Sequence, residues 1–164
     1  QDKMWVIAGS DNNQRFNDVW YSYDGITWSM TSTSSPFSLR THHQSIVFEN
    51  KIWVIGGYTG GNKNDVWYSA DGYNWTAATQ AAQFSVRNGH SSVVYDNKMW
   101  VIGGNTGTTE SSEVWNSLDG SDWNLKASEK FPVRAFFGSL VFENRIWILG
   151  GWPGNAQRDV WYSD

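Results

Sequence analysis

Three arginines recur at intervals of 47 residues, Arg40, Arg87 and Arg134. Guanidinium groups gathered on one surface would present planar forks to a carboxylate or a sulfate. Because the arginines recur in every complete unit, the favoured reading is that they hold loop carbonyls or a neighbouring structural unit, with ligand contact as the second. An Arg beside carboxylates is also the equipment of a glycosidase or a sugar mutarotase, for which Asp11, Glu110 and Glu113 are the available loop acids. His42 offers one imidazole without a partner placed by the sequence for acid/base work. His43 and His90 fall at one repeated position, three residues after Arg40 and Arg87, and read as structural. Three histidines and no cysteine assemble no metal site, and no cofactor is expected. The patterns G-x-S-x-G and H-E-x-x-H are missing, and "GGYTGGNK" lacks the Gly-Lys-Ser/Thr ending that a phosphate cradle needs. No catalytic residue is assigned.

Aromatic side chains supply the other candidate chemistry. Eleven of the twelve tryptophans occupy repeated positions and read as core, since a residue demanded by every copy of a unit serves the unit. Trp152 alone falls outside that register, in "GGWPGN", where Pro153 and Gly154 make a stiff turn able to hold the indole outward. The corresponding residue in the other copies is Ser10, Tyr58 or Asn105, and the residue two after each loop arginine is His42, Gly89 or Phe136. The candidate ligand-binding set is therefore Trp152, Tyr58, Asn105, His42, Arg40, Arg87 and Arg134.

These residues are carried by a unit of 47 or 48 residues that occupies 3–50, 51–97 and 98–144, with a partial fourth copy at 145–164. Each copy opens with a strand such as "KIWVIGG", apolar on both alternating faces, as a strand covered on each side must be. A second strand, "DVWYS", leads to Asp-Gly, a strong hairpin signal, and a third strand begins at Trp28, Trp75 or Trp123. A longer loop carries the arginine into a fourth strand, such as "QSIVFEN", whose Glu-Asn tip turns tightly into the next copy. The count is fourteen strands and no helix. In a four-stranded antiparallel unit the tight hairpins share one end and the long loops share the other. Loops on a rigid scaffold are where binding residues lie, so the long-loop face is the expected site.

The chain resembles the Kelch-repeat β-propellers, whose fold is shared by the central domain of galactose oxidase. The resemblance rests on the Gly doublet (Gly56-Gly57, Gly103-Gly104, Gly150-Gly151), on the Tyr and Trp of Tyr21/Trp28 and Tyr68/Trp75, and on Arg-x-x-His at Arg40/His43 and Arg87/His90. Ala8, Asn116 and Phe137 depart from it. It implies an all-β propeller of four-stranded antiparallel blades, here incomplete at both ends of the chain, and an interaction scaffold that grips a glycan or a protein partner. The copper chemistry of galactose oxidase needs a cysteine and is excluded. The segment Ser-x-Asp-Gly-x-x-Trp also looks like the Asp-box of sialidases, one residue short, which is itself a structural device. A carbohydrate-active enzyme and a purely structural assembly unit remain the alternatives.

Composition trims the list of partners. A net charge of -4 without a Lys/Arg run argues against nucleic acid, and no apolar run reaches the length of a membrane span. The absence of cysteine fits a cytosolic chain and a secreted bacterial one alike, with a secreted or cell-surface setting preferred. Unpaired edges on the terminal blades lead to the expectation of a homo-oligomer, most simply a two-fold dimer, or of a section of a longer polypeptide.

Overall fold

The computed structural model describes residues 3–152, 154 and 156–163. Pro153 lies outside the described residues. Fourteen strands and no helix are found among them, in four antiparallel sheets. The first sheet holds β1 (Met4–Ser10), β2 (Arg15–Ser22) and β3 (Ser29–Ser32). The second is β4 (Gln44–Phe48), β5 (Lys51–Tyr58), β6 (Asn62–Ser69) and β7 (Thr76–Thr79), in that order across the sheet. The third is β8 (Ser91–Tyr95), β9 (Lys98–Asn105), β10 (Glu110–Ser117) and β11 (Asn124–Ala127), and the fourth is β12 (Gly138–Phe142), β13 (Arg145–Leu149) and β14 (Val160–Tyr162). The inner strands β4, β8 and β12 lie side by side, so the sheets fan out as consecutive propeller blades. Among the described residues the first blade has no inner strand and the fourth no outer one. No helix among the described residues is long and apolar enough to cross a membrane.

Two hairpin chemistries alternate in each blade. At Glu49-Asn50, Asp96-Asn97 and Glu143-Asn144 both residues take positive φ, between 48° and 56°, the geometry of a two-residue type I′ turn. Asp-Gly does not make such a turn. Its hairpin spans a six-residue loop, 23–28 in the first blade, folded around the aspartate. Asp24 Oδ1 accepts from the amides of Ile26 and Thr27 at 2.8 Å, while Ser22 Oγ accepts from Gly25 N at 2.9 Å. The loop closes when the tryptophan donates to the glycine carbonyl, as Trp123 Nε1 does to Gly120 O at 3.0 Å. The outer strand therefore begins one residue after the tryptophan rather than on it.

Hydrophobic cores fill the spaces between blades. Ile7, Val19, Phe37, Val54 and Trp75 join the first and second blades, and Phe48, Trp53, Ile55, Phe84, Val101 and Trp123 join the second and third. Val93, Ile102, Phe131, Ile146 and Ile148 join the third and fourth. Burial on both faces is realised in the middle: Ile52 to Gly57 of β5 are all buried, whereas Met4 and Val6 of β1 are nearly half exposed. The reading of every repeated tryptophan as core is corrected accordingly. Trp53, Trp75 and Trp123 are buried, but Trp28 is 36% exposed, with no preceding blade among the described residues to pack on, and Trp161 is 37% exposed on β14, an edge strand facing the third blade across an unfilled cavity.

Candidate functional site

The repeated motifs meet in one cluster in each of the second, third and fourth blades. Arg40, ahead of β4, donates from Nη1 to the carbonyl of Gly56 at 2.7 Å and grips Asp65 with both terminal nitrogens, at 2.9 and 2.7 Å. Trp67 Nε1 donates to the same carboxylate at 2.8 Å, and Nε of the arginine reaches back to Ser38 O at 3.2 Å. Arg134 repeats the arrangement with Gly150 and both oxygens of Asp159, and Arg87 binds Gly103 in the same way but reaches Glu113 through Nη2. All three arginine side chains have zero exposure. The loop arginine, the Gly doublet and the Asp-Val-Trp strand thus recur together because they are parts of one buried charge-assisted network. Each guanidinium tethers the long loop to the third strand of its blade.

That tether shapes the long-loop face. The residue after each arginine forms an antiparallel bridge with the residue after the Gly doublet: Thr41 with Tyr58, Asn88 with Asn105, and Ala135 with Trp152. The two sets of positions singled out from the sequence are therefore neighbours. One residue further on, His42, Gly89 and Phe136 all adopt left-handed backbone, with φ of 53°, 58° and 55°. They are strung together from blade to blade, since Gly89 N donates to His42 O at 3.0 Å and Phe136 N to Gly89 O at 2.7 Å. The His42 and Phe136 rings meet edge to face, 5.1 Å between centroids, above Gly89. A Cβ on Gly89 would lie 2.7 Å from the Phe136 ring, so glycine is the residue that lets the two rings touch.

Around this ledge the side chains divide into aromatics and amides. Phe136 is 53% exposed and Trp152 50%, and the bridge from Ala135 places them beside one another on the chain path. Tyr58 is half-buried beneath the guanidinium of Arg15, 4.9 Å from its ring centre. Asn88 donates to Asn62 Oδ1, and Asn62 donates to the Asn105 carbonyl at 2.9 Å. Phe136, Asn62, Asn88 and Arg15 were not singled out as ligands from the sequence. The position of Phe136, two residues after a loop arginine, was placed on the long-loop face from the sequence, but Asn88, one residue after Arg87, was not.

The loop acids are engaged locally. Asp11 accepts from the amides of Asn13 and Gln14 at 2.7 and 2.8 Å, which lowers its pKa. Burial acts to raise the Glu113 carboxyl, but hydrogen bonds from Trp115 and Arg87 outweigh it and leave the pKa below the usual glutamate value. Glu110 faces the Asn105 amide at 3.4 Å. His43 and His90 lie in the interior, where burial and a neighbouring arginine push their pKa values down to about 4 and about 3. They stay neutral across the physiological range.

Comparison of the sequence with curated proteins found no match. The family model described as the KLHDC2/KLHL20/DRC7 Kelch-repeats domain matches residues 1–164. The match spans the whole chain and agrees with what the blades show: a Gly doublet, a loop arginine and an acid-Val-Trp segment locked together in three successive blades. The chain belongs to this Kelch-repeat family, and its propeller is a protein-interaction module.

Proposed function

We propose that the partner is a polypeptide held on the long-loop face, with Phe136 and Trp152 as apolar anchors and the amides of Asn62, Asn88 and Asn105 around them. The observation that carries this reading is the ledge of His42, Gly89 and Phe136, fixed by backbone hydrogen bonds between blades and flanked by two half-exposed aromatic rings. Aromatic anchors on a rigid frame give large contact area at low entropic cost. The amides are already ordered by bonds to one another, so a partner's backbone meets donors and acceptors held in position. The buried arginines support the face from below and present no guanidinium to solvent, which favours this reading over recognition of an anion. Tyr58 and His42 complete the surface as secondary contacts.

The test is selection of binders from a displayed peptide library, run beside a glycan array, with wild type, Trp152→Ala and Phe136→Ala. Peptides are expected to bind wild type and to lose about tenfold or more in affinity with either variant, at unchanged melting temperature. Enrichment on the glycan array alone, or peptide binding indifferent to both substitutions, overturns the proposal.

A further inference from the structure

Each copy of the repeat places a basic residue two positions before a tryptophan where the second blade strand begins: Lys3 and Trp5, Lys51 and Trp53, Lys98 and Trp100, Arg145 and Trp147. Side chains two apart share one face of a sheet. Directly across the sheet from each tryptophan lies Tyr21, Tyr68, Asn116 or Tyr162. Where that partner is tyrosine the cation sits over the rings: Lys51 Nζ is 4.9 Å from the centre of Tyr68 and 5.9 Å from Trp53, and the Arg145 guanidinium is 4.6 Å from Tyr162. Where asparagine replaces it the lysine turns away, and Lys98 Nζ pairs with Asp96 at 2.7 Å. The rings, and not the strand register, hold the charge.

The first blade adds a third ring. Tyr23, in the Asp-Gly loop, occupies the position of Ala70 and Leu118 in the second and third copies. Lys3 Nζ lies 4.2 Å from the centre of Tyr21, 5.3 Å from Trp5 and 5.5 Å from Tyr23. Tyr21 and Tyr23 stand at 82° to each other and Trp5 is inclined at 49° to Tyr21, so the rings form a corner around one ammonium. The second blade fixes Trp5 in place, since a Cβ on Gly72 would fall 2.3 Å from its ring. Tyr23 is the open wall, 54% exposed. Leu118, in a blade flanked on both sides, is 59% exposed, so this position faces water whatever stands beside the blade.

No acid among the described residues pairs with Lys3. A primary ammonium carries three donors and is strongly hydrated, and ring faces offer it no strong acceptor. A trimethylammonium has no N–H to satisfy and spreads its charge over methyl groups, which is the kind of cation that aromatic cages favour. We propose that Trp5, Tyr21 and Tyr23 form a cage for the trimethylated side chain of a lysine on a partner polypeptide, and that Lys3 is the tethered occupant which this cation displaces. The side chain already seated there is a lysine's, so the cage admits an ammonium on a four-carbon stem. Lys3 precedes β1, which begins at Met4, and leaves the cage without breaking a strand pairing. The cage lies at the tight-hairpin end, opposite the ledge, and is independent of the function proposed there.

The experiment titrates the intact protein with the pentapeptide Gly-Gly-trimethyl-lysine-Gly-Gly, followed by the NMR shift of the Trp5 indole N–H. Saturable binding is expected. It should weaken by about tenfold or more for the unmethylated peptide, and equally for a neutral peptide in which a tert-butyl group keeps the shape of the trimethylammonium and removes its charge. Lys3→Ala should tighten binding, because it removes the competing ammonium. Tyr23→Leu, which installs the residue of the third copy at a water-facing position, should weaken binding by about tenfold or more at a nearly unchanged melting temperature. Absence of binding to the Lys3→Ala variant, weaker binding on that substitution, equal affinity for the neutral peptide, or indifference to Tyr23→Leu overturns the proposal. So does binding of choline when the peptide itself does not bind, which would give the cage to a free amine.

Discussion

Arg40 and Asp65 form a bidentate pair, 2.9 and 2.7 Å between their nitrogens and oxygens, with the guanidinium wholly removed from water. Truncating one member of such a pair leaves the other charge buried and uncompensated. Arg40→Ala is expected to cost about 3–5 kcal/mol in urea unfolding, and Arg40→Lys a substantial part of that, since an ammonium cannot reproduce the fork. A loss below about 1 kcal/mol for the alanine variant would mean that the pair does not hold the loop.

The repeated tryptophans should separate by burial although their sequence contexts match. Trp123, 3% exposed and packed on Phe84, is expected to cost about 3–5 kcal/mol on replacement by alanine. Trp28, with more than a third of its surface in water, should cost less than half as much. Equal losses in parallel denaturation curves would contradict the difference between inner and terminal blades.

Gly25 and Gly120 have nearly the same backbone, φ of 75° and 77°, but different neighbours. A Cβ at Gly25 would meet the flexible end of Met4 at 3.4 Å, whereas at Gly120 it would drive into the Trp53 ring. Both alanine variants carry the left-handed strain, about 1 kcal/mol. Gly120→Ala should lose about 1–3 kcal/mol more, the usual cost of overpacking. Matching melting temperatures for the two variants would show that the indole yields freely.

Acid should destabilise the fold through its buried imidazoles. His90, with both ring nitrogens unpartnered in the interior, has its pKa pushed down from 6.5 to about 3 by burial and by Arg87. Its folded value lies below its unfolded value, so the unfolded chain binds the proton first. Stability is therefore full above about pH 6.5 and falls as pH drops, by about 1.4 kcal/mol per pH unit, until the folded value is reached. The third copy places Phe137 at this position, which suggests the repair. His90→Phe should lessen the loss between pH 8 and pH 5 by about 2 kcal/mol. An unchanged pH slope would show that the imidazole escapes its pocket on protonation.

Much of the architecture was legible because blades are local objects. Alternating apolar strands, Asp-Gly, Glu-Asn and the Gly doublet each act over a few residues, so fourteen strands and the division between tight and long ends could be placed from the letters. Asp-Gly marked a hairpin but not its size: Ser22 and Asp24 capture backbone amides and enlarge the loop, a side-chain competition that the dipeptide alone does not reveal.

The repeat, the blade and the set of recurring residues can be read from the letters alone. What each recurrence is for depends on residues that folding brings in from elsewhere in the chain. By their letters Arg40, Arg87 and Arg134 could serve a loop or a ligand; Asp65, Glu113 and Asp159, some 25 residues away along the chain, fold against them and bury them. Thr41 and Tyr58, or Ala135 and Trp152, become one surface only when loop and strand bridge. Identical letters also acquire different exposures, as Trp28 and Trp75 do, because burial in a propeller is set by the neighbouring blade and not by the blade's own sequence.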